Sequence, residues 1–142
     1  MEYLASVGDR VGVTDTRDSL RSRLEAGYSA IRDHEAALST LFLTEAEKMT
    51  GLIVHGVTDD VDQRTPTFSI TVPGLTAPQL AQHLVSRGVA AGAGHFYALQ
   101  FPDRMGLTDN GGFTRLGFFH YNTLEEVARV MQILKDIIRE VA

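Results

Sequence analysis

Residues 111 to 126, running from Gly111-Gly112 through Phe113, Arg115, Leu116 and Phe118 to Tyr121-Asn122-Thr123 and Glu126, leave the backbone few choices. Two glycines open the stretch, an alternating run follows, and a helix-start signal closes it. Successive side chains of a strand point to opposite faces, so Leu116 and Phe118 share one face while Arg115 and Gly117 share the other. A hydrophobic core claims the first face, which leaves the second free to look toward a partner or ligand. Thr123 and Glu126 have the spacing of a capping box, in which each side chain satisfies a backbone N–H at the start of a helix. The chain must therefore leave a strand, turn a polar corner and enter its last helix within a few residues. Arg115, a planar cation on a rigid element, is suited to grip a carboxylate through two parallel hydrogen bonds. It is equally suited to an ordinary surface ion pair.

The rest of the chain supplies a sheet and helices for that stretch to pack on. From about Asp15 to Met49, Leu20, Leu24, Tyr28, Ile31, Glu35, Leu38 and Phe42 recur by threes and fours, with only Glu35 interrupting the apolar stripe. About 35 residues at 1.5 Å each predicts a helix roughly 50 Å long. Asp15 or Thr16 serves as its cap, Gly51 as its stop, and Gly27 marks the place for a kink. Leu52–Val57 reads as a short strand, followed by an acidic loop over Thr58–Arg64. Thr67–Val72 alternates cleanly between Pro66 and Pro73, placing Phe68, Ile70 and Val72 inward. Thr76 caps a helix to about Arg87, with Leu80, Ala81, Leu84 and Val85 on one side and Gly88 as its left-handed stop. Val89–Ala93 reads as a brief strand, and Gly94–Asn110 contains His95-Phe96-Tyr97-Ala98 and a loop over Pro102–Gly106. The last helix, Leu124 to about Val141, buries Val127, Val130, Met131, Leu134, Ile137 and Ile138. The expected fold is α+β: a small, mostly antiparallel sheet covered on one face by helices and preceded by a long N-terminal helix.

Composition removes several classes of function. The net charge is −5, from 13 Lys+Arg against 18 Asp+Glu, without a basic run, so no nucleic-acid partner and no anionic membrane partner is expected. No apolar run reaches the roughly 18 residues of a membrane span, and the N-terminus has no charged-then-apolar signal pattern. With 0 Cys there is no disulfide, thiol nucleophile or cysteine metal site, and the expected compartment is cytoplasmic. The histidines, His34, His55, His83, His95 and His120, lack metal-ligand spacing, and no metal site is expected. His34 and His83 read as helix-face residues. Gly92-Ala93-Gly94 is too short for a phosphate loop and reads as a place where backbone turns or approaches closely. Ser69 and Ser86 have no histidine and acid in a recognisable order, and Lys48 and Lys135 read as solvated helix residues. No self-contained catalytic set emerges.

Three motifs in order carry a resemblance: Arg64 through Gly74, Gly94-His95-Phe96-Tyr97-Ala98, and Arg115 through Tyr121-Asn122-Thr123 to Glu126. Together they resemble the C-terminal small domain of class V aminotransferases. These are pyridoxal-phosphate enzymes that include the cysteine desulfurases, and the cysteine desulfurase-like branch is the one it resembles. The likeness covers nearly the whole chain. It implies that residues 1–14 are the end of a large domain and 15–142 a small domain of the fold-type I kind. In the family, the arginine before the Tyr-Asn-Thr motif binds the substrate α-carboxylate, which implies that role for Arg115. The loop carrying Gly94, His95 and Tyr97 would flank the site. The family's cofactor lysine, pyridine-pairing acid and stacking histidine belong to the large domain, which has no equivalent here. The resemblance thus implies pyridoxal phosphate and an amino-acid substrate in the full enzyme, no cofactor for this chain alone, and either a large-domain partner or self-association. The sister branch carries Arg-x-Gly-His-His-Cys-Ala, whereas this chain has Gly92 and Tyr97 at the arginine and cysteine positions, so persulfide sulfur transfer does not carry over. From a different class, the residues also allow a non-catalytic α+β ligand-binding or protein-interaction module that uses the Arg115 face.

Overall fold

The computed structural model describes residues 1–11 and 19–142. Its elements run α1 (Glu2–Arg10), α2 (Leu20–Glu47), β1 (Ile53–His55), a 3-10 turn (Val61–Gln63), β2 (Thr67–Thr71), α3 (Ala77–Ser86), β3 (Gly92–Gly94), α4 (Gln100–Arg104), β4 (Phe113–Gly117) and α5 (Leu124–Val141). The strands form one sheet in the order β1-β2-β4-β3, with every neighbouring pair antiparallel. The alternation works as its period demands. Phe68, Ile70 and Val72 from the β2 region and Leu116 and Phe118 from the β4 region are buried on one face. Leu38 and Phe42 of α2, Leu80 and Leu84 of α3, and Val127, Met131, Leu134 and Ile137 of α5 complete that core. The ring of Phe42 stacks on Phe68 at a centroid distance of 3.8 Å, and Phe118 lies 6.1 Å from each. Helices α2, α3 and α5 thus cover one face of an antiparallel sheet, giving the α+β class the periodicities implied.

The long N-terminal helix departs from its expected boundaries and burial. Its observed cap is Ser19, whose hydroxyl accepts from the Ser22 N–H at 3.2 Å; Asp15 and Thr16 lie outside the described residues, as does the expected domain boundary after Thr14. The helix ends at Glu47, with Lys48 as its C-cap, short of the Met49 end and the Gly51 stop expected. Of the apolar stripe, Leu38 and Phe42 are fully buried, but Leu20 and Tyr28 are 50% and 56% exposed. Only the C-terminal half of α2 meets the sheet. The N-terminal half packs along α1, through the face that carries Gly27. A Cβ on Gly27 would run into the Leu4 carbonyl oxygen, and one on Gly8 into the Arg23 carbonyl oxygen. Gly27 therefore sits inside an unbroken helix and marks a close crossing instead of a kink. Arg23 Nε and Nη2 donate to the two Asp9 carboxylate oxygens at 2.7 and 2.6 Å, and the Tyr3 hydroxyl lies 3.0 Å from His120 Nε2.

Other differences follow from tertiary cover. The loop expected over Pro102–Gly106 is partly helical: α4 runs through Arg104, with Pro102 buried and the Phe101 ring 5.3 Å from Phe113. The strand expected over Val89–Ala93 is displaced to Gly92–Gly94, because Gly94 pairs with Phe113 and Gly92 with Arg115. β1 keeps only three of the residues expected for it. Val85 is 56% exposed, on the side of α3 away from the core. Both Thr76 and Thr123 form complete capping boxes, with Gln79 and Glu126 respectively, so each helix starts where its local signal placed it. Among the described residues, no helix is long and apolar enough to cross a membrane.

The crossing is testable. Gly27→Ala forces a methyl group against the α1 backbone, an overpacking expected to cost about 1–3 kcal/mol. Hydrogen exchange should show protection lost across residues 2–10 while the β2 and β4 amides keep theirs. Equal loss in both places would mean that α1 and the sheet open as one unit.

Candidate functional site

The sheet's other face carries a row of residues in register across all its strands: His55 opposite Ser69, Ser69 opposite Arg115, and Arg115 opposite Gly92. Arg115 is exposed, as its strand phase requires, while Leu116 beside it is buried. The ion pairs among the described residues are Arg21–Glu25, Arg23–Asp9, Arg32–Asp33, Lys48–Glu45, Arg87–Glu140 and Arg139–Asp136, and none uses Arg115. The surface ion-pair alternative for Arg115 therefore finds no partner among those residues. Its hydrogen-bonding edge is open to an anion, and a carboxylate is the planar two-acceptor group that a guanidinium matches best.

What touches the guanidinium is the ring of Phe96, with Arg115 Cζ 4.0 Å from the ring centroid. The ring rests against the bare backbone of Gly92, where an added Cβ would come 3.2 Å from the ring edge. Among the described residues, Phe96 and Tyr97 are the non-glycine residues in the left-handed region, with φ of 47° and 65°. Such a conformation costs an L-residue about 1–2 kcal/mol, and it persists only where surrounding structure holds it. Here the Tyr97 N–H donates to His95 Nδ1 at 3.1 Å and the Ala98 N–H to the His95 carbonyl at 2.8 Å. The turn swings Phe96 back onto the sheet and leaves Tyr97 98% exposed at its tip. The backbones of Gly94 and Gly112 approach so closely that a Cβ on Gly112 would press on the Gly94 carbonyl. Of the residues singled out from sequence, Arg115 and the Gly94–Tyr97 loop are thus neighbours. His95 and Tyr97 face each other at 6.4 Å, and the direct contact to Arg115 is made by Phe96. No local periodicity could have placed Phe96 there, because it sits in a turn outside any strand phase.

Two further clusters frame this face. His55 Nε2 lies 2.9 Å from Thr71 Oγ1, and its ring meets Phe113 edge-on at 5.0 Å, beneath α4. Burial pushes the His55 pKa below its ordinary value. With Nε2 committed to Thr71, His55 forms no serine–histidine couple with Ser69. At the corner after β4, Asn122 Oδ1 accepts from the Phe119 N–H at 2.9 Å, and Asn122 Nδ2 donates to Glu126 at 2.9 Å. Those hydrogen bonds, from Asn122 first and then from the Thr123 N–H, hold the Glu126 carboxyl below the usual carboxylate range. His34 is no idle helix-face residue: its Nε2 lies 2.8 Å from the Asn122 carbonyl and ties α2 to the corner. Spacing could not announce that contact, which joins residues 88 positions apart.

Other chemistry lies elsewhere. A depression of about 670 Å³ beside β1 is lined by His55, Asp62, Gln63, Arg64 and Thr67. Arg64 is not available there, because it donates to the Val57 and Thr67 carbonyls at 2.6 and 2.8 Å and lies over Phe68. Lys48 and Lys135 both line a groove between α2 and α5, on the helical side of the sheet, and Lys48 donates to Glu45 at 2.6 Å. No lysine of the chain faces Arg115. No group of three or more His, Asp or Glu suited to a metal occurs among the described residues.

An antiparallel sheet backed by helices in this order falls in a known class. The family model for aminotransferase class V matches residues 11–130, and the chain belongs to that family. The family is pyridoxal-phosphate-dependent in general. The chain is 30% identical over 114 residues to the aminotransferase-like protein FGM3 of Gibberella zeae, covering 78% of this chain and 28% of that protein. It is 28% identical over 110 residues to a probable cysteine desulfurase of Staphylococcus epidermidis, covering 78% of this chain and 25% of the relative. The apo structure of a cysteine desulfurase from Thermococcus onnurineus superposes with a TM-score of 0.69 at 25% identity, over 85% of this chain and 29% of the other. The cysteine desulfurase CsdA of Escherichia coli shares the fold, with a TM-score of 0.67 at 20% identity, over 87% of this chain and 30% of that one. The chain thus spans less than a third of the length of each of these proteins.

The half-buried His55 gives a pH test. Because burial lowers its folded-state pKa, His55 contributes stability that is in place above its unfolded value, about 6.5. That contribution is lost as pH falls through the folded value. Nuclear magnetic resonance titration should find His55 protonating below the ordinary histidine value of about 6.5, and the urea midpoint should fall between pH 7.5 and pH 5. His55→Gln should shrink that fall. A His55 that titrates at or above its ordinary value would remove the burial argument.

Proposed function

We propose that this chain is the small domain of a pyridoxal-phosphate-dependent, class V aminotransferase-like enzyme, and that Arg115 binds and orients the substrate's α-carboxylate. The observation that carries this reading is the guanidinium of Arg115, without an ion-pair partner among the described residues, exposed on the sheet face opposite the helical core and braced by Phe96. In this reading residues 1–14 close the large domain and 15–142 form the small one. The Gly94–Tyr97 loop flanks the amino acid, with Tyr97 projecting from its tip. The partner is the large domain or, in its absence, a second copy of this chain. Exposed Tyr3, Leu20 and Tyr28 on the α1–α2 pair are the apolar surface available to it.

The residues of this chain do not fit the cofactor itself. A lysine for the imine is needed near the substrate amine, and both lysines lie on the opposite side of the sheet. We therefore assign cofactor binding to the large domain and leave this chain the carboxylate. The isolated chain, titrated with pyridoxal phosphate and dialysed, is expected to keep no stoichiometric imine absorbance. A retained band that disappears in Lys48→Ala or Lys135→Ala would overturn that division of labour.

The carboxylate role is tested in the enzyme reassembled with its large domain. Arg115→Ala should weaken amino-acid binding by about 1.5–3 kcal/mol, the worth of a hydrogen bond to a charged group. Arg115→Lys should recover only part of that, because an ammonium cannot make the two-pronged contact. Stability of the isolated domain should change by no more than about 0.5 kcal/mol. If Arg115→Ala unfolds the domain and spares substrate affinity, the residue is structural. Tight binding of a free amino acid by this chain alone, without cofactor, would favour a non-catalytic binding module instead.

A further inference from the structure

We propose that Phe96 is a positioning residue for Arg115 and sets which anions its guanidinium accepts. The inference rests on the carboxylate reading of Arg115 and adds to it a residue that selects the ligand's shape. A long side chain on an exposed strand face ordinarily samples several rotamers, and each loses entropy when a ligand fixes it. Arg115 is spared part of that loss. Its Cζ lies 4.0 Å above the Phe96 ring, and the ring in turn sits on the backbone of Gly92, the residue opposite Arg115 in the ladder. The ring edge occupies the space a side chain at Gly92 would take, while the ring face meets the guanidinium. The absence of a side chain at Gly92 makes room for the ring, and the left-handed backbone of Phe96, with φ of 47°, aims it there. With one face of the guanidinium covered by an aromatic ring, its N–H edge is left for the ligand. An edge of parallel donors favours a planar anion with two acceptors over a spherical one. The ligand class selected is therefore a carboxylate approaching edge-on, in preference to a halide.

The 142-residue chain itself serves for the test. Its Arg115 Nε–H and side-chain protons, assigned by their loss in Arg115→Lys, are followed by nuclear magnetic resonance. Sodium acetate and sodium chloride at equal ionic strength are the two probes. In the native chain the Arg115 side-chain protons should be displaced by the ring current of Phe96, and acetate should move the Nε–H signal more than chloride does. Phe96→Leu should abolish the displacement and weaken acetate about two- to fivefold, the factor expected from an exposed cation–aromatic contact. It should also bring acetate and chloride closer together, while Phe96→Tyr should retain all three properties. Gly92→Ala, which crowds the ring from the strand side, should reduce the ring-current displacement with Phe96 still present. This second variant covers the case in which Phe96→Leu disturbs the turn.

The two readings fail in different ways. An Arg115 signal with the same displacement and the same acetate response in native chain and Phe96→Leu overturns the positioning role and leaves the carboxylate reading standing. A displacement that depends on Phe96, with no preference for acetate over chloride in any variant, overturns the selection of carboxylates by this pair.

Discussion

Phe42 reaches from α2 onto the middle of the sheet and stacks on Phe68 at 3.8 Å, with Phe118 from the end of β4 completing the group. An aromatic pair in such an arrangement adds about 0.5–1.5 kcal/mol to what burial of the rings already supplies. Position matters more than that increment. Phe68 and Leu116 are directly opposed on the two central strands, so a helix seated on them holds β2 and β4 in one register. That register decides which residues share the row on the other face. A slip of one residue would turn Arg115 inward and Leu116 outward, because the side-chain period of a strand is two. The exposed cation is thus placed by packing on the opposite side of the sheet.

The turn beside that cation holds more strain than its most visible contact returns. Two left-handed non-glycine residues cost about 1–2 kcal/mol each, whereas an exposed cation–aromatic contact gives about 0.5–1 kcal/mol. The stack alone cannot hold Phe96 and Tyr97 as they are. The difference is met by the hydrogen bonds centred on His95, by the pairing of Gly94 with Phe113, and by the close approach of Gly112 to Gly94. Backbone strain of this kind concentrates where a side chain must be presented in a particular direction. Here it presents Phe96 to Arg115 and Tyr97 to whatever lies across the open face. On the proposed reading that is the large-domain side of the site, toward which this chain presents a phenol.

The opposite end of the molecule is organised by a different device. α1 and α2 approach until backbone touches backbone, which only Gly8 and Gly27 permit, and the Asp9–Arg23 pair fixes their rotation. Tyr3 then reaches His120, and His34 reaches the Asn122 carbonyl, so both helices bear on the corner between β4 and α5. That corner follows Arg115 by only a few residues. A partner docking on the exposed apolar residues of α1 and α2 would bear on the element that carries the candidate site.

The amino-acid sequence by itself determined the phases of β2 and β4 and the limits of α3 and the start of α5. Alternation placed Phe68 and Ile70 inside and Arg115 outside; the capping boxes of Thr76 and Thr123 started α3 and α5; and Gly88, with φ of 76°, stopped α3. These are local properties, set by neighbours within one turn or one strand repeat. Tertiary structure alone decided how far the apolar stripe of α2 is buried, why Gly27 is a glycine, that α4 forms over Phe113, and that Phe96 lies under Arg115. Each of those depends on segments distant in the chain meeting in space. The left-handed backbone at Phe96 runs against the preference of any L-residue, so it exists only because the assembled sheet and loop leave that turn no easier course.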